Sequence, residues 1–349
     1  MKPFNIGDRR IGPDEPTFVI AEAGSNHNGD FETAKELIDV AAAADADAVK
    51  FQTFRAESLY VEDSGNVDYL NDERSIYDII ESMEMPYDWI PELHDYCQTQ
   101  GVQFMSTPFD ERSAAELEPY VPAWKIASYT SSHHPFLRHL ARTDKPIIMS
   151  TGAHTLSEVA ESVDVLCDAG VDDLVLLHCV ASYPTPLSDA NVRVVETLSD
   201  EFDVLSGFSD HTLDPTVAPS AAVALGGNVV EKHFTLDNSM EGPDHEFALE
   251  PDELDEMVSA IRDTEAALGT AEKRVLDVEQ ELYQKARRAI HAVEDINAGE
   301  TFTDENVRVI RPGDREAGLS PKFYDEVVGA VATRDVRRGD GIQWADVDR

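Results

Sequence analysis

Cysteine is scarce. Cys97, Cys167 and Cys179 are the three in 349 residues. Their spacing matches neither a metal-binding pattern nor a disulfide framework, which points to a reducing compartment. Basic residues are also few, 28 Lys and Arg against 69 Asp and Glu, for a net charge of −41. Nucleic-acid binding needs clustered Lys and Arg at phosphates, so that class of partner is not expected. Long apolar runs are missing. No stretch is long enough to span a bilayer, and the opening MKPFNIGDRRIG lacks an apolar signal core. The expectation is a soluble cytoplasmic protein with no membrane partner. A glycine-rich phosphate turn is missing too. AEAGSNHNGD does not have the G-x-G-x-x-G spacing that a doubly wound open sheet carries after its first strand.

What is present is a globular pattern. Hydrophobic residues make up 42% of the chain, enough for a real core, and the length suits one large domain plus a small one. Acid is unevenly placed. Residues 286–349 hold 10 basic and 13 acidic residues, whereas residues 1–285 hold 18 and 56. The acids are spread through patterned sequence and do not form a tail. A solvated acidic surface of this kind suits a salt-rich (halophilic) cytoplasm, where salt screens the self-repulsion.

Eight short β-rich runs recur: 18–24, 48–53, 102–109, 124–128, 146–152, 173–179, 204–211 and 228–235. Helix-like stretches such as 31–44, 155–170 and 214–226 lie between them, and several end in Gly. Strand alternating with helix predicts a parallel sheet. Eight units in this length predict an α/β fold, a closed (β/α)8 TIM barrel over residues 1–270. A further helix (250–269) follows, then a linker (271–288) whose charged stretch VEQELYQKARR (278–288) reads as helical. In the remainder, residues 292–307 align without gaps to 332–347. Asp295 matches Asp335, Ile296 matches Val336 and Gly299 matches Gly339. Two related halves predict a small pseudo-symmetric β-rich domain at 289–349, since two units are too few for a solenoid.

Polar residues gather at the ends of the strands, where barrels place their active sites. His211 and His233 end the runs GFSDH and VVEKH, so adjacent strands would deliver two imidazoles to one place. Alternation along a strand puts Ser209 with His211 on one face, and Glu231 with His233 on one face of the next. A pair of imidazoles suits a divalent metal with positions left open for water and substrate. Lys50 and Lys125, with Thr107, Ser128, Ser150 and Ser209, form a plausible phosphate cradle. In so acidic a chain, the alternative is that each Lys simply pairs with a carboxylate. Glu22 and Glu231 are candidates for proton transfer or hydroxyl binding. Asp244, in GPDHEF, is either a hydroxyl ligand or a turn residue. His27 sits in a polar loop after the first strand and is a further catalytic candidate, and His154 is a separate case. His178, inside LVLLHC, reads equally well as a satisfied core histidine.

Taken together, AEAGSNHNGD, VKFQT, STPFD, WKIAS, STG, LLHCVASYPTP, GFSDHT and VVEKHFT…GPDHEFAL resemble the sialic acid synthase family in order and spacing. The last segment resembles the antifreeze-like SAF (β-clip) domain that closes that family. The resemblance implies an enzyme, a phosphoenolpyruvate-dependent C–C bond-forming transferase. Its substrates would be phosphoenolpyruvate and an N-acylated amino sugar, typically N-acetylmannosamine, and its products a nonulosonic acid and phosphate. It implies a divalent metal on His211 and His233, usually Mn2+ with Mg2+ or Co2+ as alternatives, acting as Lewis acid and template. It implies that Lys50, Thr107, Lys125, Ser128, Ser150 and Ser209 hold phosphoenolpyruvate, and that Gln52, Tyr183, Glu231 and Asp244 face the sugar. Glu22 is then the proton-transfer candidate. The family also implies a homodimer with domain exchange, in which Arg311 of the RPG motif reaches the sugar's acyl group.

Two positions depart from the family pattern. Ala181 stands where Asn is frequent, and Thr130 stands where an acidic residue is usual. These bear on a phosphoenolpyruvate contact and on the sugar side, and they leave legionaminic and pseudaminic acid precursors open as acceptors. Sugar-phosphate synthases of the Kdo 8-phosphate and DAHP type share this chemistry, but their acceptor needs a second basic cluster. A Schiff-base lyase would leave the paired histidines unexplained. Ice binding calls for a flat Thr-rich face, whereas the C-terminal segment is rich in Arg, Asp and Glu.

Overall fold

A computed structural model describes residues 1–62, 64–65 and 74–348. Arg349, the last residue of the expected C-terminal domain, lies outside the described residues. The chain divides into two compact units, Met1–Gly269 and Thr270–Arg349.

The first unit opens with a hairpin, β1 (Phe4–Ile6) against β2 (Arg9–Ile11). Eight parallel strands follow: β3 (Phe18–Gly24), β4 (Ala48–Thr53), β5 (Gln103–Pro108), β6 (Trp124–Ile126), β7 (Ile147–Ser150), β8 (Leu174–Cys179), β9 (Leu205–Asp210) and β10 (Val229–His233). They form one sheet in the order β5-β4-β3-β10-β9-β8-β7-β6. The two end strands, β5 and β6, pack side by side, so the sheet curls into a TIM-like near-barrel.

The strands match the expected runs closely. One difference bears on the site: β6 stops at Ile126, and Ser128 begins a 3-10 turn. The intervening helices start where local chemistry directs them. Asp30 caps helix Phe31–Ala43 by accepting the Thr33 N–H, and Thr155 forms a capping box with Glu158 at helix Leu156–Asp168.

Alternation along each strand sorts the side chains. On β3, Val19, Ala21 and Ala23 face the helices, while Phe18 and Ile20 face the barrel axis. The lower interior is apolar and is filled from below by Ile6 and Ile11 of the hairpin, both fully buried. Burial on that scale stabilises by roughly 1.5–3 kcal/mol per side chain. Nothing in the strand–helix alternation signals this plug. With the bottom filled by hydrocarbon, the inward polar residues of the upper half have only one another and the mouth.

The second unit is β-rich. β11 (Ala289–Ala292) pairs with β12 (Val307–Ile310), and β13 (Val331–Ala332) with β14 (Val347–Asp348). The helix in the segment before it is shorter than the expected linker helix, spanning Gln280–Lys285. The 40-residue repeat appears as reciprocal hydrogen bonding. Ile296 and Val336 each donate their N–H to the other's carbonyl at 2.8 Å, and Gly299 donates to Ala332 as Gly339 does to Ala292. The Asp335 carboxylate accepts the Ala298 N–H, and Asp295 accepts that of Arg338. Matched residues of the two halves thus exchange roles across a pseudo-twofold axis, around a core that includes Phe302 and its counterpart Ile342. Among the described residues, no helix is long and apolar enough to cross a membrane.

Candidate active site

The upper inner wall of the barrel carries a buried lattice of two lysines and two glutamates. Glu22 on β3, Lys50 on β4, Lys125 on β6 and Glu231 on β10 are each at most 4% exposed. Lys50 Nζ lies 2.6 Å from Glu22 Oε2 and 3.7 Å from Glu231 Oε2. Lys125 Nζ lies 3.2 Å from Glu231 Oε1. Hydroxyls complete the coordination. Lys50 donates to Thr107 Oγ1 at 3.1 Å, Lys125 to Ser150 Oγ at 2.9 Å, and Ser209 to Glu231 Oε1 at 3.1 Å. Gln52 Nε2 donates to Glu22 Oε1 at 2.8 Å. Lys50, Lys125, Thr107, Ser150 and Ser209 of the expected cradle and the carboxylate pairing of the alternative reading are therefore present together in one cluster, whereas Ser128 lies beside Gly152 and Cys179.

Electrostatics divides the two carboxylates. Burial raises Glu22, Lys50 offsets part of that, Glu231 adds to it, and the result is about 7. Burial also raises Glu231, but Lys125 and Lys50 outweigh it and hold that carboxyl below its ordinary value. Burial lowers Lys125, while for Lys50 the attraction of Glu22 and Glu231 overcomes burial and raises it. Glu231 is the firm counter-ion, and Glu22 is poised to exchange a proton near neutrality.

Above this lattice stand the two histidines, ring centroids 5.5 Å apart. His211 Nδ1 bonds the Val180 carbonyl at 2.8 Å, leaving Nε2 free. His233 Nδ1 is buried without a hydrogen-bond partner, 3.7 Å from Asp244 Oδ2. Burial, reinforced by His211 and both wall lysines, holds His233 well below its ordinary value, so it remains a neutral imidazole, the ligand form. Burial raises Asp244 to about 6. His211 Nε2 and the buried, unpartnered His233 Nδ1 offer two imidazole nitrogens that fit a divalent cation. Among the described residues no third His, Cys, Asp or Glu joins them as a metal-binding group, so water or substrate would complete the coordination. The Tyr183 ring centroid lies 4.0 Å from that of His211 and 5.3 Å from that of Phe247, and Tyr183 is 42% exposed.

Other expected residues fall elsewhere. His27 is buried against Trp89 and Phe51, accepts the Gly29 N–H, and is lowered by burial to about 4. His178 bonds the Ala190 carbonyl and stacks on Phe208, as a core histidine does. His154 bonds the Gly152 carbonyl. Thr130 is buried in the 3-10 turn, and Ala181 is half-buried after β8. Arg311 is exposed and belongs to the second unit, directly after β12.

Three residues join the site that motif reading passes over. Cys179 faces inward, its sulfur 3.8 Å from His211 Nδ1. Gly152 donates its N–H to Ser128 Oγ at 2.9 Å, and a Cβ there would lie 2.9 Å from that oxygen and 3.1 Å from the Cys179 sulfur. Gly24, at φ +55°, lets the chain pass beside Asp244, Gln52 and Glu22. The signal for Cys179 was the same alternation that placed Ser209 and Glu231, since Cys179 pairs in register with Ser209.

A parallel barrel with lysines, carboxylates and imidazoles converging at its carboxyl rim has the layout of a barrel enzyme. The chain belongs to the NeuB family, matched over residues 37–273, and carries a SAF domain over 287–348. It is 42% identical to the spore coat polysaccharide biosynthesis protein SpsE of Bacillus subtilis, over 99% of this chain and 98% of that one. The crystal structure of the B. subtilis protein superposes with a TM-score of 0.69, covering 100% and 99% of the two chains. A pseudaminic acid synthase of Campylobacter jejuni is 38% identical over 95% and 97%. The N-acetylneuraminic acid synthetase of Leptospira borgpetersenii, solved with citrate, is 32% identical with a TM-score of 0.74, over 81% and 95%. The chain is accordingly an enzyme of the sialic, pseudaminic and legionaminic acid synthase family, a C–C bond-forming transferase.

Proposed function

We propose that this enzyme condenses phosphoenolpyruvate with an N-acylated amino sugar and water, giving a nonulosonic acid and phosphate. The observation that carries this reading is the buried Lys50–Glu22 and Lys125–Glu231 lattice, set with hydroxyls directly beneath two free imidazoles. Lys50, Lys125, Thr107, Ser128, Ser150 and Ser209 hold the carboxylate and phosphate of phosphoenolpyruvate. Its arrival competes with Glu22 for Lys50, and Glu22 answers by taking up a proton, which its value near 7 permits. Carbon 3 of the enol forms the new bond to the sugar's aldehyde carbon as the C=O π bond breaks, and the aldehyde oxygen takes up one proton to become a hydroxyl. Water adds at carbon 2 and gives up a proton, and the tetrahedral intermediate collapses to the keto acid with loss of phosphate. Glu22 moves a proton at this wall, while Gln52, Tyr183, Glu231 and Asp244 orient the sugar. His211 and His233 hold a divalent metal, Mn2+ with Mg2+ or Co2+ as alternatives, which when bound supplies Lewis acidity at the aldehyde oxygen.

N-acetylmannosamine is the first acceptor to test, with the precursors of legionaminic and pseudaminic acids as the alternative that Thr130 and Ala181 leave open. A sugar-phosphate acceptor is less well supported, because both wall lysines already belong to one cluster. The enzyme works as a cytoplasmic homodimer, with the partner's C-terminal domain supplying its arginine, the counterpart of Arg311, to the acyl group. The test is phosphate release from phosphoenolpyruvate across a panel of amino sugars, with and without Mn2+, at high salt. Release that needs both a sugar and the metal supports the reading. No release with any sugar overturns it.

A further inference from the structure

His233 ends β10 and His211 directly follows β9, and the ends of the same two strands carry a second pair, facing the other way. Asp210 and Lys232 stand opposite each other in the β9–β10 register, one residue before His211 and His233. Alternation sends the histidines to the barrel mouth and this pair to the outside of the sheet. Both are buried, Asp210 at 1% and Lys232 at 2% exposed.

Each ammonium hydrogen has somewhere to go. Lys232 Nζ lies 2.5 Å from Asp210 Oδ2 and 2.6 Å from the Thr212 carbonyl, and it reaches the Asp214 carbonyl at 3.2 Å. The same carboxylate accepts the Thr212 N–H on Oδ1 at 2.8 Å and its hydroxyl on Oδ2 at 3.1 Å. The residue enclosed by these bonds is His211, which lies between Asp210 and Thr212, both tied to one ammonium. That ammonium belongs to the residue next to His233.

A buried ion pair is a poor source of net stability, because desolvating both charges cancels most of their attraction. A pair of isosteric apolar residues would fill the same space between sheet and helices. What an apolar pair could not do is tie Asp210, at the end of β9, and the Thr212 and Asp214 carbonyls beyond it to β10. We infer that Asp210 and Lys232 are positioning residues, a clamp that fixes the separation and tilt of the two imidazoles for a shared divalent cation. This rests on the proposed metal role of His211 and His233.

The experiment measures Mn2+ binding to the metal-free full-length protein by titration calorimetry and by the electron paramagnetic resonance of bound Mn2+, alongside melting temperature. Wild type, Lys232→Met, Asp210→Asn, the double variant and His211→Ala are compared. Loss of a direct hydrogen-bond partner of a metal-bound histidine typically weakens the metal by about 10–100-fold; Lys232 acts only through the backbone flanking His211, so a loss at the lower end, about 10-fold, is expected for Lys232→Met. The double variant, with no unpaired carboxylate, should regain melting temperature without regaining affinity. Lys232→Arg, which keeps the charge and donors, should recover part of the affinity and serves where Lys232→Met does not fold. If the clamp variants bind Mn2+ as tightly as wild type while only their melting temperature falls, the pair is structural and the inference is wrong. If wild type and His211→Ala bind alike, the metal reading itself fails, and the clamp fails with it.

Discussion

Lys50 Nζ and Glu22 Oε2 are 2.6 Å apart on adjacent strands, and both side chains are sealed from solvent. In most buried pairs both members are firmly ionised. Here Lys50 is held in its charged form by two carboxylates, whereas Glu22 is raised to about 7. The pair is therefore a charge that stays beside a charge that comes and goes.

Replacing Lys50 tests the fixed member. Lys50→Met leaves Glu22 and Glu231 facing each other with only Lys125 nearby. Removing one partner of a buried pair costs about 3–5 kcal/mol, and this loss should appear above neutral pH and shrink in acid, where Glu22 protonates. Chemical denaturation at both pH values checks it, and phosphate release should be abolished at either.

Glu22→Gln tests the labile member. A carboxyl raised in the folded state stabilises below its unfolded value of 4.5, and that contribution is lost as pH rises through about 7. The amide has no such dependence. The stability of Glu22→Gln relative to wild type should therefore rise by about 3 kcal/mol between acid and mildly alkaline pH, following 1.36 kcal/mol per pH unit. A flat difference across that window would contradict the assignment.

Gly152→Ala tests the close approach beneath Ser128. The added methyl would press on Ser128 Oγ and the Cys179 sulfur. Overpacking of this kind costs about 1–3 kcal/mol. Because Ser128 is proposed to hold phosphoenolpyruvate, the apparent KM for phosphoenolpyruvate should rise more than that for the sugar. Equal changes in both would argue that Ser128 does not touch phosphoenolpyruvate.

The acidic surface makes a prediction independent of the site. The net −41 should make the fold prone to self-repulsion at low salt. Screening lengths fall from about 10 Å at 0.1 M to about 3 Å at 1 M salt, so the melting temperature should climb steeply with KCl over that range. A melting temperature indifferent to KCl would remove the argument for a salt-rich cytoplasm.

How much was legible beforehand follows from the physics of each element. Strand identity was plain because β-branched runs alternate with helices, and β3 and β4 begin and end where the sequence placed them. The repeat was plain too, since Ile296 and Val336 must occupy equivalent places to exchange their bonds. The hairpin plug was not, because three-residue strands such as FNI and RRI carry no period of their own. Lys232 reads like Lys50 in sequence. Only counting back from His233 shows that it points away from the mouth, and only its partners show what it holds. Cys179 was hidden for a different reason: a lone thiol has no motif, and its place beside His211 depends on the β8–β9 pairing.

The most direct measurement follows both products in one reaction. Phosphoenolpyruvate labelled with 18O at its bridging oxygen is incubated with the accepted amino sugar and Mn2+, and phosphate and sugar acid are analysed by mass spectrometry. The account predicts one nonulosonic acid for each phosphate released, with the label in the phosphate because water supplies the oxygen at carbon 2. Phosphate released without a sugar, or a label retained in the sugar acid, would contradict it.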